Sequence, residues 1–411
     1  MLVYFFLFAV GSSLTTTPEQ FGAVGDGTTN DWEPIQKAVA SCTGHSTCRV
    51  VFAKRYLSGN IVVNSSGVTL DVQGELMMLP KKEYPSFGGG FISNSQGDPS
   101  SCKQVHGIKV CLSDVTITGG GVIATTSAWE WWLCKVTGCG RPHLVTFSNV
   151  LGVKIFDINF RHSANHNIEV NDCVNVRVDN INIQAPLYSP NTDGINFYGG
   201  FDQVLSNSYI SSGDDCVSVV NVGENNPECV GHPEKQCCRG GNVVVRNVSC
   251  HGGHGISIGG MRHGTVSNVT FQNMTATGGS GNTQGVYSTG GLRIKSYPNG
   301  TGSVYDIVYK DIVLEGVYLP LQLLSRYCPW PSKCPPDTTG VHFSRITFVN
   351  IRGSGRRGIV GNFNCTAVAP CTNIVLSNVQ LTGPNLEPGN LHCAFANLSI
   401  SDSTPGSCES S

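Results

Sequence analysis

A short phrase of polar and branched apolar residues recurs along this chain and restricts the folds that it can adopt. In each copy an Asn or Asp precedes alternating Val or Ile, and a second Asn or Asp precedes further Val or Ile. The copies occupy Asn149–Ile158, Asn175–Ile183, Asn242–Val248, Val266–Phe271, Val304–Tyr309 and Asn373–Val379. The first two begin 26 residues apart. A repeat period of about 20–50 residues indicates a solenoid or a propeller.

Each repeat contains two or three stretches of period-2 alternation that Gly and Asn turns separate, without helical segments between them. A propeller needs regular four-stranded blades and hairpin turns, and hairpin signals are scarce here. We therefore predict an all-β chain that forms a single right-handed parallel β-helix, with inward Val and Ile as its core. Residues 31–40 predict a short amphipathic capping helix, with Asp31 as its N-cap and Pro34 in its first turn. No linker is evident, so residues 18–411 are predicted to be one domain.

The chain begins with a short apolar stretch followed by small residues, Met1–Ser13. The stretch is too short to span a bilayer and is typical of a signal peptide, which we place at about residues 1–17. Because a basic segment is missing before it, a truncated gene product or a buried first strand is the alternative. A signal peptide predicts that the protein is secreted.

The chain has 18 cysteines, many of them in close pairs. The pairs are Cys42/Cys48, Cys102/Cys111, Cys134/Cys139, Cys328/Cys334 and Cys365/Cys371. They predict short-loop disulfides formed in an oxidising compartment, whereas zinc binding lacks the matched C-x2-C pairs that it needs. Sequons at Asn64, Asn247, Asn268, Asn273, Asn299, Asn364 and Asn397 agree with a secreted glycoprotein.

Charge narrows the range of partners. Only 13% of residues are charged and the net charge is -2, so the chain has no basic surface for nucleic acid and no cationic run for a membrane. A polyanionic partner would need a local basic site. We expect the protein to be a monomer.

Four polar clusters can be aligned by their apolar neighbours. They are Thr192–Phe197, Asp214–Val219, Gly253–Ile258 and Gly291–Ser296. Asp193 and Asp215 are 22 residues apart, which is one coil, and the later clusters follow after 39 and 41 residues. Equivalent positions on successive coils lie about 4.8 Å apart. The aspartates, His254, and the Arg293/Lys295 pair should therefore stack on one face.

Taken singly, each cluster resembles an ordinary turn or an exposed strand. Together they predict one site, because three neighbouring carboxylates repel one another and at least one should have a raised pKa. A protonated carboxyl beside ionised ones is the arrangement that glycosidic bond hydrolysis requires. A nearby His can tune that carboxyl, and Arg with Lys can bind an acidic sugar.

At these residues the sequence resembles the polygalacturonases of glycoside hydrolase family 28. The matching stretches are Ser189–Ile195, Gly213–Cys216, Gly253–Gly259 and Arg293–Lys295, with further likeness at Phe21–Gly27 and Tyr327–Cys328. The resemblance implies inverting hydrolysis of α-1,4-galacturonosyl linkages in pectin or polygalacturonate, without a metal or organic cofactor.

The resemblance also implies a role for each site residue. Asp214 would be the general acid, Asp193 and Asp215 would activate the attacking water, and His254 would sustain the protonation of Asp214. Arg293, Lys295, Asn191 and Tyr327 would bind and position the substrate. It further implies a disulfide between Cys216 and Cys250.

Three segments depart from the family pattern: Gly260–Arg262, Leu323–Arg326, and a loop from Asn221 to Gly241 that carries Cys229, Cys237 and Cys238. The loop could narrow the cleft, so we expect endo action but keep exo action open. We also keep two further hypotheses open, a calcium-dependent pectate lyase and a non-catalytic carbohydrate-binding relative.

Overall fold

The alternating apolar residues of the repeats form parallel strands that stack coil upon coil. In the centre of the molecule the strand that contains Val178 pairs in parallel with its neighbours on both sides, with Ile155 and Leu205 level with Val178. The computed structural model describes residues 12–85, 89–221, 238–278, 290–328, 334–336 and 338–410, together with Cys229, His232 and Lys235. The fold is the predicted right-handed parallel β-helix.

The strands of the first half precede the polar clusters. They are β1 Ser13–Thr16, β2 Asp26–Asn30, β3 Thr47–Phe52, β4 Arg55–Ser58, β5 Ile61–Val63, β6 Val68–Val72, β7 Glu75–Met78, β8 Gly90–Asn94, β9 Lys103–Val105, β10 Ile108–Val110, β11 Leu112–Thr118, β12 Val122–Thr125, β13 His143–Ser148, β14 Val150–Arg161, β15 Ile168–Asn171 and β16 Val174–Gln184. Strands β9 and β10 form a separate antiparallel pair.

The strands of the second half carry the polar clusters and close the solenoid. They are β17 Ile195–Tyr198, β18 Phe201–Ser212, β19 Asp215–Val220, β20 Arg239–Gly252, β21 Gly255–Thr277, β22 Gly290–Val317, β23 Leu319–Leu324, β24 Val341–Gly355, β25 Ile359–Asn364, β26 Cys371–Thr382, β27 Asn390–Ala394, β28 Ala396–Ser401 and β29 Cys408–Ser410. Long strands such as β21 and β22 continue around corners of the coil.

One continuous apolar core fills the solenoid, as predicted. Inward side chains from β3 to β27 are almost completely buried. Aromatic rings stack along the axis: the Phe271 and Tyr309 centroids are 4.9 Å apart, and those of Tyr309 and Phe348 are 5.1 Å apart. Each inward residue therefore packs on its counterpart in the next coil, which fixes the register of the outward residues as well.

The predicted capping helix is present as α1, Trp32–Ala40. Asp31 occupies the N-cap position, but its side chain does not cap the helix. Its carboxylate accepts the backbone N–H groups of Val24 and Gly25 at 2.7 and 3.0 Å, and so ties the preceding loop to the helix. Strand β1 lies in the segment predicted as a signal peptide and pairs with β3. Most of that segment lies outside the described residues.

Two short helices that the sequence pattern did not predict precede β13. They are α2, Ala128–Trp132, and α3, Cys134–Thr137. A disulfide between Cys134 and Cys139 closes this segment. Within the described part of the chain, no helix is long and apolar enough to cross a membrane.

All five predicted short-loop disulfides are present. Cys216–Cys250, implied by the resemblance, also forms and joins β19 to β20. Two further bonds are Cys229–Cys238 and Cys393–Cys408. Cys173 is a buried free thiol, and Cys237, in the predicted cysteine-rich loop, lies outside the described residues.

The recurring Asn residues lie at turns where the backbone is left-handed. Asn247, Asn268 and Asn273 have φ of 57, 54 and 51°, a conformation that Asn tolerates better than most residues. Their side chains hydrogen-bond from coil to coil: Asn247 donates to Asn207 at 2.9 Å, Asn268 to Asn242 at 2.8 Å and Asn273 to Asn247 at 2.8 Å. We call these five residues the asparagine ladder.

Candidate active site

Strand register brings the first two polar clusters together. Ile195 of β17 lies level with Val217 of β19, and the N–H of Gly194 donates to the carbonyl of Asp215 at 2.9 Å. Asp193 and Asp215 therefore occupy equivalent positions on adjacent coils, as predicted. Both are buried, with 7% and 3% of their surface exposed.

An irregularity in the pairing of β19 with β21 changes which aspartate lies level with His254. Asp215 pairs with Gly255, whereas Val217 pairs with Ile256. The backbone N–H of His254 consequently donates to the carbonyl of Asp214, at 3.0 Å. His254 is thus level with Asp214 and not with Asp215.

The Arg293 cluster lies further along its strand than the apolar alignment predicted. Arg293 pairs with Ser257, so it lies beyond His254 along the coil direction. The predicted alignment of Arg293 and Lys295 with the aspartates was wrong in register. The prediction that they lie on the same face as the aspartates was correct. The physical reason is that side chains alternate with a period of two, so a two-residue shift returns them to the same face.

Asp214 is held by three groups around its carboxylate. Nδ1 of His254 lies 2.6 Å from Oδ1 of Asp214. The Nδ2 group of Asn191 donates to Oδ2 at 3.3 Å, and the N–H of Asp215 donates to Oδ1 at 2.9 Å. Asn191 in turn accepts a hydrogen bond from Arg141 at 2.8 Å. These contacts fix the carboxyl at the wall of the cleft.

Asp215 is held by two cations. Arg293 donates to Oδ1 at 2.5 Å and Lys295 donates to Oδ2 at 2.9 Å. Ser257 also donates to Oδ1, at 2.6 Å. Both cationic side chains are at least nine-tenths buried, and an ion pair of this kind depends on complete hydrogen bonding because each charge has lost its water.

The three carboxyls have different proton affinities. Burial raises the pKa of Asp193 to about 6, and the negative charges of Asp214 and Asp215 add to this effect, while His166 and Lys295 oppose it. Burial also acts on Asp214 and Asp215, but nearby cations outweigh it and lower both pKa values: His254 dominates at Asp214, and Arg293 with Lys295 dominates at Asp215. The prediction that one carboxyl has a raised pKa is confirmed. In the free protein that carboxyl is Asp193, and not Asp214.

Aromatic residues line the cleft beside the cations. The Lys295 Nζ lies 5.3 Å from the centre of the Tyr327 ring, and the rings of Tyr297 and Tyr327 are 5.8 Å apart. Arg262, which departs from the family pattern, lies 4.3 Å from the centre of the Tyr297 ring. The structure thus brings seven of the eight predicted site residues to the lining of one cleft, and the eighth, Arg293, contacts that lining through Asp215.

Sequence reasoning missed a second group of polar residues on the coil before Asp193. Nδ1 of His166 lies 3.1 Å from Oε2 of Glu169, and its Nε2 lies 3.7 Å from Oδ1 of Asp193. Glu169 of β15 is level with Asn196 of β17. The available signal was a glutamate at the outward position of the alternation Ile168-Glu169-Val170, in the same phase as Asn196 and one coil earlier.

Among the residues that the structure describes, two groups have the donor types that a metal ion could use: Asp214, Asp215 and His254, and His143, His166 and Glu169. In the first group Arg293 and Lys295 already compensate the charge of Asp215. In the second, His166 and Glu169 compensate one another. Both groups are therefore electrostatically satisfied by side chains.

Comparisons with known proteins identify the family of this chain. Glycosyl hydrolases family 28 matches residues 42–402. A polygalacturonase of Arabidopsis thaliana is 30% identical over 280 residues, which cover 66% of this chain and 58% of that relative. The polygalacturonase of Persea americana is 27% identical over 388 residues, covering 92% of this chain and 76% of the relative.

The fold has counterparts among solved structures. An exopolygalacturonase from Thermotoga maritima has a TM-score of 0.76 at 17% identity, with 95% of this chain and 91% of that chain covered. This likeness concerns the fold alone, while the sequence match over most of the chain identifies the family. The chain therefore belongs to glycosyl hydrolases family 28, and it is accordingly a glycoside hydrolase.

Proposed function

We propose that the protein is a secreted polygalacturonase that hydrolyses α-1,4-galacturonosyl linkages of pectin with inversion. The observation that carries this proposal is that three unequal carboxyls and Lys295 line one cleft, with Arg293 buried against Asp215. Carboxyls of unequal proton affinity supply the acid and the base of glycoside hydrolysis. The Arg–Lys pair supplies the cationic contact that an acidic sugar needs.

In this proposal Asp214 protonates the departing glycosidic oxygen. Its pKa is low in the free protein because of the positive charges around it, His254 above all. A bound galacturonate brings its own negative charge and displaces water, and both changes raise the pKa of Asp214. Because the negative charge of Asp214 disfavours the ionisation of Asp193, a proton on Asp193 can then move to Asp214.

Asp193 and Asp215 hold and activate the attacking water. They occupy equivalent positions on adjacent coils, so their backbones are about 4.8 Å apart. Once Asp193 is ionised, two carboxylates flank the same point on the opposite side of the sugar from Asp214. Arg293 and Lys295 prevent Asp215 from taking up a proton, which keeps one base available.

Substrate orientation comes from the remaining residues. Arg293 and Lys295 bind a galacturonate carboxylate, and Tyr327 packs on the same sugar beside Lys295. Asn191 contacts Asp214 through its Nδ2 group and Arg141 through its Oδ1. Asn191 thereby links Asp214 to Arg141 and positions the sugar near Asp214.

The decisive experiment measures reducing-sugar release from polygalacturonate by the wild type and by Asp214→Asn. We expect at least a 100-fold loss, because general acid catalysis contributes about 10²–10⁴-fold. Asp202→Asn is the matched control: Asp202 is exposed, pairs with Arg177 at 2.8 Å, and has a left-handed backbone that Asn tolerates. Equal activity of Asp214→Asn and the wild type would refute the assignment of the acid.

Product analysis separates endo from exo action and hydrolysis from elimination. We propose endo action, which gives a ladder of oligomers, whereas exo action gives only the smallest product released from a chain end. NMR of fresh products should detect the β anomer first if the reaction inverts. An unsaturated product that absorbs in the ultraviolet and disappears with chelator would instead indicate a lyase. Binding of polygalacturonate without any product would indicate a non-catalytic relative.

A further inference from the structure

His166 lies between two carboxylates on the coil that precedes the aspartates. Its Nδ1 is 3.1 Å from Oε2 of Glu169 and its Nε2 is 3.7 Å from Oδ1 of Asp193. The side chain of His166 is 18% exposed, that of Glu169 is 15% exposed and that of Asp193 is 11% exposed. The three groups therefore form a largely desolvated row that runs towards the reacting carboxyls.

The geometry determines the charge of His166. A neutral imidazole has one N–H and one bare nitrogen, and a bare nitrogen facing a carboxylate would place two lone pairs against each other. Both ring nitrogens face carboxyl groups here, so when Glu169 and Asp193 are both ionised the imidazole carries hydrogen on both nitrogens. Burial lowers the pKa of His166, but Asp193 and Glu169 outweigh it and raise the pKa to about 9.

The contacts of Glu169 favour its ionised form. Its Oε2 faces His166 and also Nε2 of His143, at 3.3 Å, while Asn171 donates to its Oε1 at 3.0 Å. Burial raises the pKa of Glu169, but these partners outweigh it and lower the pKa to about 2. Burial lowers the pKa of His143 to about 4, so His143 is neutral near pH 7 and His166 is the cation of the group.

We propose that His166, anchored by Glu169, is a positioning residue that orients Asp193 and holds it in the ionised form needed to activate water. The inference rests on the proposed function, since it assigns a task to Asp193 in that reaction. The site then has two matched pairs: His254 holds Asp214 from one side of the cleft, and His166 holds Asp193 from the other.

Other charges also face the His166–Asp193 pair, and they determine how far His166 lowers the pKa of Asp193. Asp214 favours the cationic form of His166, while Asp214 and Asp215 oppose ionisation of Asp193. Lys295 favours the ionisation of Asp193, and Arg141 acts on both Asp193 and His143. With two negative neighbours and no compensating His166, Asp193 would keep its proton to a higher pH.

The kinetic test compares pH profiles of kcat/KM on polygalacturonate for the wild type, His166→Asn, His166→Lys and Glu169→Gln. Removing an opposite charge at this distance moves a carboxyl pKa by about 1–3 units. We expect the acidic limb to move up by at least about one pH unit in His166→Asn and to return towards the wild type in His166→Lys. Glu169→Gln should move it in the same direction as His166→Asn.

A purely structural role would lower the rate equally at every pH, leave the limb in place, and so refute the proposal. His251→Asn is the control, since His251 pairs through Nδ1 with an uncharged side chain, Thr277, at 2.8 Å, and this variant should leave the limb unchanged. Loss of wild-type activity with chelator, restored by zinc, would overturn the proposal in favour of a metal at the His143–His166–Glu169 group.

A second measurement needs no substrate. In protein labelled with ¹³C at histidine, the NMR signal of His166 is identified as the one that His166→Asn lacks. In the wild type this signal should have the chemical shift of an imidazolium up to pH 7.5. In Glu169→Gln it should titrate at a lower pH. A neutral His166 at pH 7 would overturn the inference even in an active enzyme. An imidazolium in a protein that does not cleave polygalacturonate would count against the proposed function alone.

Discussion

The asparagine ladder and the active site are both stacks of polar side chains along the solenoid, and the same coil spacing produces different results in them. In the asparagine ladder identical amides repeat, and Asn247, Asn268 and Asn273 each donate to an Asn of the preceding coil at 2.8–2.9 Å. In the active site, unlike groups occupy successive coils, and Asp215 is bound by residues 78 and 80 positions away. The ladder lies on the surface, whereas Asp193, Asp215, Arg293 and Lys295 are buried.

The two stacks differ in what a single substitution does to the groups that remain. An amide has both a donor and an acceptor, so the ladder is satisfied by repetition and each bond is a local, water-exposed contact. The site depends on opposite charges that have lost their water, so removing one member leaves another charge buried and uncompensated. The two stacks should therefore respond very differently to single changes.

The largest effect on stability is expected from Arg293→Met. This change leaves Asp215 buried with Lys295 as its remaining cation and should lower the free energy of unfolding by about 3 kcal/mol. It should also raise KM for polygalacturonate. Denaturant unfolding followed by fluorescence measures the loss.

Arg345→Met is the control for that change, because Arg345 makes an exposed pair with Asp306 at 2.7 Å. Exposed pairs contribute little to stability, so no measurable change is expected. Equal losses in the two variants would contradict the contrast between the buried site and the exposed surface.

An intermediate effect is expected from Asp193→Asn, and it depends on pH. Asp193 has a pKa of about 6 in the folded protein against an ordinary value of 3.8, so its contribution favours folding fully below pH 3.8 and is lost as pH rises through 6. Asn has no such loss. Between pH 3.8 and 6.5 the unfolding free energy of the variant should therefore gain about 1–3 kcal/mol relative to the wild type.

Denaturant titrations of both proteins at pH 4 and pH 6.5 provide this comparison. A difference that stays constant over this range would mean that Asp193 is not the carboxyl with the raised pKa.

The smallest effect is expected in the ladder, where Asn268→Gly and Asn268→Ala separate two contributions. Gly keeps the left-handed backbone and removes the bond to Asn242, so it should cost about 0.5–1 kcal/mol. Ala also strains the backbone and should cost about 1 kcal/mol more. Thermal unfolding of the three proteins measures both steps, and equal stability of Gly and Ala would exclude the backbone contribution.

Much of the fold was predictable because its signals are local. The repeating Asn and Val/Ile phrase specifies strands and left-handed turns within each coil, and the five short-loop disulfides join cysteines that are close in sequence. Asp31 marks the start of α1, although its carboxylate binds the preceding loop. The helices α2 and α3 were missed because each is only one turn long.

The sequence by itself determined the solenoid, its core and the four polar clusters that share one face, because strand period and repeat length are properties of the chain. Only the tertiary structure decided their register and charge. The irregular pairing at Asp215 places His254 beside Asp214, and parallel pairing brings His166 and Glu169 to Asp193. Contacts between coils and burial from water set these features, and neither is encoded in any single stretch of sequence.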